Sequence, residues 1–162
     1  MSDRDRHTPS GAALTEIVLE VFRLHGGFIA AGDALTADLG LTSARWQVLG
    51  ALAMAGTPLT LVAIARSMGL TRQAVRRTVN ELEAEGFLRF QDNPEHRRAH
   101  LVALTDRGAD AYAKASRRQV HWVNHLATAA DDAALAMTAA TLRAVRRQLD
   151  HQPAPNQGEG DE

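Results

Sequence analysis

Between Thr60 and Gly86 the chain alternates helix caps and helix breakers at intervals that leave few folds open. Thr60 caps a short helix, Leu61 to Met68, with Leu61, Ile64, Ala65 and Met68 on one side. Gly69 supplies the left-handed residue of a tight turn, and Leu70 is placed to plug back into the core. Thr71 caps the next helix, which runs to Glu85 and ends at Gly86. Two helices joined by a glycine turn of about three residues form a helix-turn-helix. Beyond Gly86 the texture changes. Phe87–Gln91 and Ala99–Leu104 read as strands, and the polar run Asp92–Arg98 between them reads as a turn. A β-hairpin with an arginine-bearing tip therefore follows the helix pair directly.

Helical periodicity dominates the rest. Leu14, Ile17, Val18, Val21, Phe22, Phe28 and Ile29 predict a first helix from about residue 12 into the thirties, loosened or bent at Gly26-Gly27 and ended by Gly40. Thr42 or Ser43 caps a second helix over 43–55, whose apolar side holds Trp46, Leu49, Leu52 and Ala53; Gly56-Thr57-Pro58 stops it. After the hairpin, Thr105 caps a long helix to about residue 128, and Asp131 caps a last one to about 149. Along that last helix Leu135, Thr138, Leu142, Val145 and Leu149 recur in alternating three- and four-residue steps, the spacing of a helix–helix seam.

Charge and composition narrow the function. The chain has 18 basic and 19 acidic side chains, a net charge of −1, so any nucleic-acid site must be a local basic patch rather than a whole-chain field. With no cysteine, thiolate catalysis, zinc ribbons, disulfides and thiol-based redox sensing are all excluded. No run approaches the ~20 apolar residues of a membrane span, and the N-terminus lacks the apolar core of a secretory signal. A cytoplasmic, membrane-free protein is expected. A glycine-rich phosphate loop, a GxSxG elbow and an HExxH pair are all missing, so the sequence is not that of an enzyme of those kinds.

The chemistry concentrates on the helix after Thr71. At about 100° per residue, Arg72, Gln73, Arg76, Arg77 and Asn80 fall within an arc of about 140°, while Val75, Thr78, Val79 and Leu82 take the other side. Arginine reads guanine O6 and N7 bidentately, and asparagine or glutamine reads adenine. Residues 66–80 hold four arginines and no acid in a chain that is net negative. A merely solvated face ordinarily mixes signs, as this helix does only later, at Glu81, Glu83 and Glu85. Thr71, Arg72, Gln73, Arg76, Arg77 and Asn80 are therefore the candidate DNA-contacting residues. Arg97 and Arg98 at the hairpin tip join them, because an arginine gains from the negative potential of a narrow minor groove.

The run TPLTLVAIARSMGLTRQAVRRTVNELEAEGFLRFQDNPEHRRAHLVALTDRG, residues 57–108, resembles in register and motif order the MarR (multiple antibiotic resistance) family of winged-helix regulators. With the first helix and GLTSARWQVLGAL included, the resemblance covers residues 12–149. The expected fold is mainly α with a small β-hairpin wing: a winged helix-turn-helix DNA-binding lobe plus a helical dimerisation domain. The expected segments are a flexible tail (1–11), a dimerisation helix (12–40), the DNA-binding lobe (41–104), dimerisation helices (105–149) and a disordered acidic tail (150–162). The resemblance implies a homodimeric repressor, with its recognition helices in adjacent major grooves of a near-palindromic operator in double-stranded DNA. It also implies a small aromatic or lipophilic effector, for which His25, Phe28, Arg45 and Trp46 are the candidate contacts. No cofactor is implied. Family wings usually carry Asp-x-Arg; here the arginine matches Arg98 but His96 holds the aspartate position, leaving Glu95 or Asp92 as substitutes.

Two alternatives accompany this reading. His121 and His125, spaced i, i+4, can share a helix face as metal ligands do, which would make a zinc- or other metal-responsive regulator of the same fold. They equally suit a helix surface that binds no metal. A winged helix can also serve as a protein-interaction module without specific DNA binding, a role for which a base-reading face has no use.

Overall fold

A computed structural model describes residues 7–96 and 98–151. Its elements are α1 (Pro9–Thr36), a 3-10 turn (Ala37–Leu39), α2 (Ser43–Ala55), β1 (Leu59–Thr60), α3 (Leu61–Met68), α4 (Arg72–Ala84), β2 (Leu88–Gln91), β3 (Leu101–Leu104), α5 (Asp106–Ala127) and α6 (Asp132–His151). They form two compact units, Met1–Gln119 and Val120–Glu162, with the boundary inside α5. The mainly α fold with a small β wing is as expected.

Threonine caps set the helix starts. Thr42, Thr60 and Thr71 each accept a hydrogen bond from the backbone N–H three residues on, which settles the choice between Thr42 and Ser43. Asp131 does the same for α6 through Ala134 N–H, at 2.8 Å. Thr8 caps α1 with Pro9 in its first turn, so the helix begins three residues before the expected start and residues 9–11 are helical. α1 stays helical through Gly26-Gly27. At the other end Asp150 and His151 still belong to α6, while the rest of the expected tail, and residues 1–6, lie outside the described residues.

The core of the first unit forms where α2, α3, α4 and the sheet meet. Val48, Leu49, Ile64, Val79, Leu82 and Val102 are completely buried, with Val75 and Phe87 nearly so. Trp46 is only half-buried, whereas Val48, which periodicity left off the apolar side of α2, is completely buried beside Leu49 and Leu52. Leu70 is 47% exposed and does not plug back into the core, a correction to the sequence expectation. The backbone bonds of the turn are nevertheless made: Gly69, at φ 64°, donates to Arg66 O and Leu70 to Ala65 O, while the Leu70 side chain stays exposed.

The sheet has three antiparallel strands in the order β1-β3-β2. β2 and β3 make the expected hairpin, pairing Leu88 with Leu104 and Phe90 with Val102, although β3 begins at Leu101 rather than Ala99. β1 was not expected. It pairs Leu59 with Val102 and Thr60 with Leu101, which ties the start of α3 to the base of the wing. In the second unit, α6 leaves Leu135, Leu142 and Leu149 exposed.

Candidate nucleic-acid interface

α4 presents the two faces its periodicity predicts. Val75, Val79 and Leu82 are buried, whereas Arg72, Gln73, Arg76, Arg77 and Asn80 are all exposed. Its first turn holds no acid, and Thr71, exposed at the cap, accepts from Ala74 N–H at 3.2 Å. The partial positive charge of a helix N-terminus therefore adds to the arginines rather than being offset by a carboxylate.

The wing lies beside this face. Arg72, Arg76 and Asn80 from α4 share one cleft of about 270 Å³ with Arg98 of the hairpin. Thr60, Leu61 and Val62 form its floor at the start of α3, and Phe90, Ala99 and His100 complete it from the wing. Three guanidiniums, one carboxamide and no carboxylate thus surround an apolar floor. Helical periodicity identifies the three polar groups on α4, and the hairpin turn places Arg98, but neither shows their convergence. The sequence pattern marks Thr60 only as a cap, and it gives Leu61, Val62, Phe90 and Ala99 no place in a site. Their placement depends on the two-residue strand β1, which is too short to leave a periodic signal.

Asn93 shapes the wing tip. It is 9% exposed, its Oδ1 accepts from Glu95 N–H at 3.0 Å, and its carbonyl accepts from His96 N–H at 3.3 Å. Asp92 lies 3.9 Å from Nδ1 of His100, whose ring meets Phe90 edge-on with centroids 6.4 Å apart. Arg98 is exposed and, among the described residues, has no carboxylate ion-paired to it. Arg97 lies outside the described residues, and Gln73 and Arg77 stand on α4 beyond the cleft lining.

Arg77 and the effector candidates are placed as follows. Arg77 donates from Nε to Glu81 at 3.1 Å, and this contact holds the Glu81 carboxyl below its usual pKa, with Arg45 adding to the effect. Arg45 commits its guanidinium to α4: it contacts Glu85 at 2.7 Å and Glu81 at 3.5 Å, and these carboxylates raise its own pKa. His25 and Phe28 are exposed on α1. α1 is joined to α2 by a hydrogen bond from Ser43 N–H to Asp33, at 2.6 Å. Among the described residues no three His, Asp or Glu side chains gather as a metal site would require, so His121 and His125 remain a pair. No helix among the described residues is long and apolar enough to cross a membrane.

A helix-turn-helix whose second helix turns an arginine-rich face outward beside a β wing is the architecture of a winged-helix DNA-binding regulator. The sequence matches the MarR family over residues 39–99. An uncharacterized protein of Mycobacterium tuberculosis is 36% identical over 130 residues, which span 80% of this chain and 90% of that protein. Among solved structures, the MarR/EmrR family transcriptional regulator of Acinetobacter sp. ADP1 superposes with a TM-score of 0.77 at 22% identity, covering 85% of this chain and 97% of its own. CouR of Rhodococcus jostii RHA1, bound to p-coumaroyl-CoA, superposes at 0.72 with 22% identity, covering 80% and 90%. The chain belongs to the MarR family: it is a winged-helix transcription regulator, not an enzyme.

Proposed function

We propose that the chain is a homodimeric repressor that binds a near-palindromic operator through Thr71, Arg72, Gln73, Arg76, Arg77 and Asn80 in the major groove, with Arg97 and Arg98 in the minor groove. The observation that carries this reading is the cleft. Arg72, Arg76 and Asn80 of α4 and Arg98 of the wing surround it without a carboxylate, so base-reading and backbone-holding groups face one ligand. A second copy suits the apolar side chains that α1 and α6 leave exposed, among them Leu14, Ile17, Val18 and Phe22 on the first and Leu135 and Leu142 on the second. A two-fold dimer places its recognition helices one helical turn apart, about 10 base pairs between half-site centres.

The proposed effector is a small aromatic or lipophilic molecule that lowers DNA affinity. It would be received near His25, Phe28, Arg45 and Trp46 on the first two helices, with Arg45 linking α2 to α4 through Glu81 and Glu85. The ligand-bound state of CouR supports a regulator of this fold having such a partner. The working compartment is proposed to be the cytoplasm, where its DNA is.

Selection from a random duplex library tests the DNA reading. An inverted repeat with half-sites about 10 base pairs apart should be enriched, with binding that weakens steeply with salt. Enrichment of a single asymmetric half-site at full affinity, or of nothing, would overturn it.

A further inference from the structure

Glu81 and Glu85 sit at the acidic end of α4, next to the arginines of its exposed face. Glu81 is shared between two of the chain's arginines. Its Oε1 accepts from Nε of Arg77 at 3.1 Å, and its Oε2 lies 3.5 Å from Nη2 of Arg45. Arg45 also forks onto Glu85, donating from Nη1 to Oε2 at 3.0 Å and from Nη2 to Oε1 at 2.7 Å, and Nη1 reaches the carbonyl of Gly40 at 3.1 Å. The two arginines differ in kind. The side chain of Arg45 is 18% exposed and that of Arg77 is 86% exposed. A bidentate, half-buried fork is a durable contact, whereas a single Nε contact at the surface exchanges readily. Arg45 therefore belongs to the packed lobe, and Arg77 is a solvated arm within reach of an incoming phosphate.

When Arg77 exchanges Glu81 for a DNA phosphate, the carboxylate it leaves still has Arg45 against its other oxygen. Without Arg45, Glu81 keeps Arg77 as its ion-pair partner, and Glu85 loses the fork that neutralises it. A phosphate drawing Arg77 away would then approach two uncompensated carboxylates. We propose that Arg45 is a positioning residue for DNA binding: by holding Glu81 and Glu85, it releases Arg77 for phosphate and keeps the acidic end of the recognition helix from repelling the duplex. The inference rests on the proposed function, in which α4 contacts DNA.

A mere structural tie between α2 and α4 predicts a different outcome in one experiment. The full chain and its Arg45→Met, Arg45→Lys, Glu81→Gln and Arg45→Met/Glu81→Gln variants are titrated against the selected operator by fluorescence anisotropy over a salt series, with thermal unfolding alongside. Arg45→Met should weaken binding by about tenfold per protomer and lower the salt slope by about 0.9 for each phosphate that Arg77 no longer neutralises. Arg45→Lys, which keeps the charge without the fork, should fall between Arg45→Met and the parent. Glu81→Gln should bind as tightly as the parent or more so. The double variant should regain the slope and part of the affinity while melting no higher than Arg45→Met, because no carboxylate remains on Glu81 to retain Arg77, although Glu85 stays without its fork. A double variant as weak as Arg45→Met would overturn the proposal, as would equal weakness of the Lys and Met variants or parental binding by Arg45→Met. A parent chain that shows no preference for any duplex would instead overturn the DNA reading itself.

Discussion

Gly108→Ala isolates the joint that sets the wing against the end of the recognition helix. Gly108 lies in the first turn of α5, and a Cβ built there would stand 2.1 Å from the carbonyl oxygen of Phe87 and 3.0 Å from its carbon. Backbone cannot rotate out of the way as a side chain can, so α5 and the backbone at Phe87, just before β2, must move apart. The same carbonyl accepts from Thr105 N–H at 3.1 Å, and the Thr105 hydroxyl bridges Gly86 O at 2.7 Å and Phe87 O at 3.0 Å. Overpacking of this kind costs about 1–3 kcal/mol and sometimes more. Weakening two hydrogen bonds adds about 1 kcal/mol each, while alanine returns at most about 1 kcal/mol in helix propensity. The expected net loss is about 3 kcal/mol, a large share of a typical domain's stability. Urea unfolding followed by circular dichroism should show a lower midpoint at unchanged slope, and melting should fall by about 10 °C. The wing should also lose its register with α4, so operator affinity should drop even where the protein is fully folded. An alanine variant as stable as the parent would refute the reasoning, because the close approach would then not be a feature of the folded chain.

Other outcomes follow from the same geometry. Arg76→Ala should cost about 1–3 kcal/mol on the selected operator and little on random DNA; equal losses on both, measured by anisotropy, would make Arg76 a phosphate contact. Arg98→Ala should weaken both duplexes more evenly and lower the salt slope by about one for each wing arginine removed. Leu142→Glu should give a monomer in light scattering and lose tight binding together, and a stable dimer would count against the α6 seam. Arg118 forks onto Asp38, with one arm at 2.7 Å, and holds that carboxyl below its ordinary pKa of 3.8. A lowered carboxylate contributes stability that is full above the unfolded value and fades as the pH falls below it. Asp38→Asn should therefore lower stability in the neutral region and flatten the acid limb, so that the two stability–pH curves converge in acid, and a parallel acid limb would refute the pairing.

Much of this fold was written locally. Thr60, Gly69 and Thr71 act through bonds that span three or four residues, so caps and turn were legible without knowing the rest of the structure. The buried and exposed faces of α4 were legible too, because Val75, Val79 and Leu82 obey a single period. What escaped was non-local. β1 is two residues long and exists through its pairing with β3, and the cleft depends on that pairing. The burial of Val48 in place of Trp46 is decided by what α2 packs against rather than by α2 itself. Leu70 misled for a similar reason, since the turn bonds are local but whether the side chain after them finds a packing partner depends on the neighbouring elements, and here it is left exposed. Arg45 showed most clearly what one helix cannot reveal: its partners stand 36 and 40 residues further along the chain.

The distribution of ion pairs explains how a chain of net charge −1 can serve a polyanion. Arg45 is matched to Glu81 and Glu85, Arg118 to Asp38, Lys114 to Asp110 and Arg23 to Glu20. Arg77 is also paired, with Glu81, whereas the arginines of the cleft, Arg72, Arg76 and Arg98, are among the described arginines matched to no carboxylate, as are Arg66, Arg89, Arg107, Arg117, Arg143, Arg146 and Arg147. Paired charges cancel at contact distance. The field beyond them is screened within about 8–10 Å at physiological salt, so distant acids subtract little from the cleft. Net charge is therefore the wrong quantity for judging whether this chain meets DNA. The arrangement implies that affinity responds to acids near the cleft and not to acids elsewhere. His96→Asp tests this with opposed signs. If the new carboxylate orients Arg98, as the usual wing aspartate of the family would, operator binding should hold or tighten. If it acts only as a local negative charge, binding should weaken and the salt slope should fall by about one per wing. Placing the same charge on α6 opposite its apolar seam, by Ala140→Asp at an exposed position, should leave DNA affinity unchanged, and weakening there comparable to His96→Asp would show that the whole-chain field, not the cleft, governs binding.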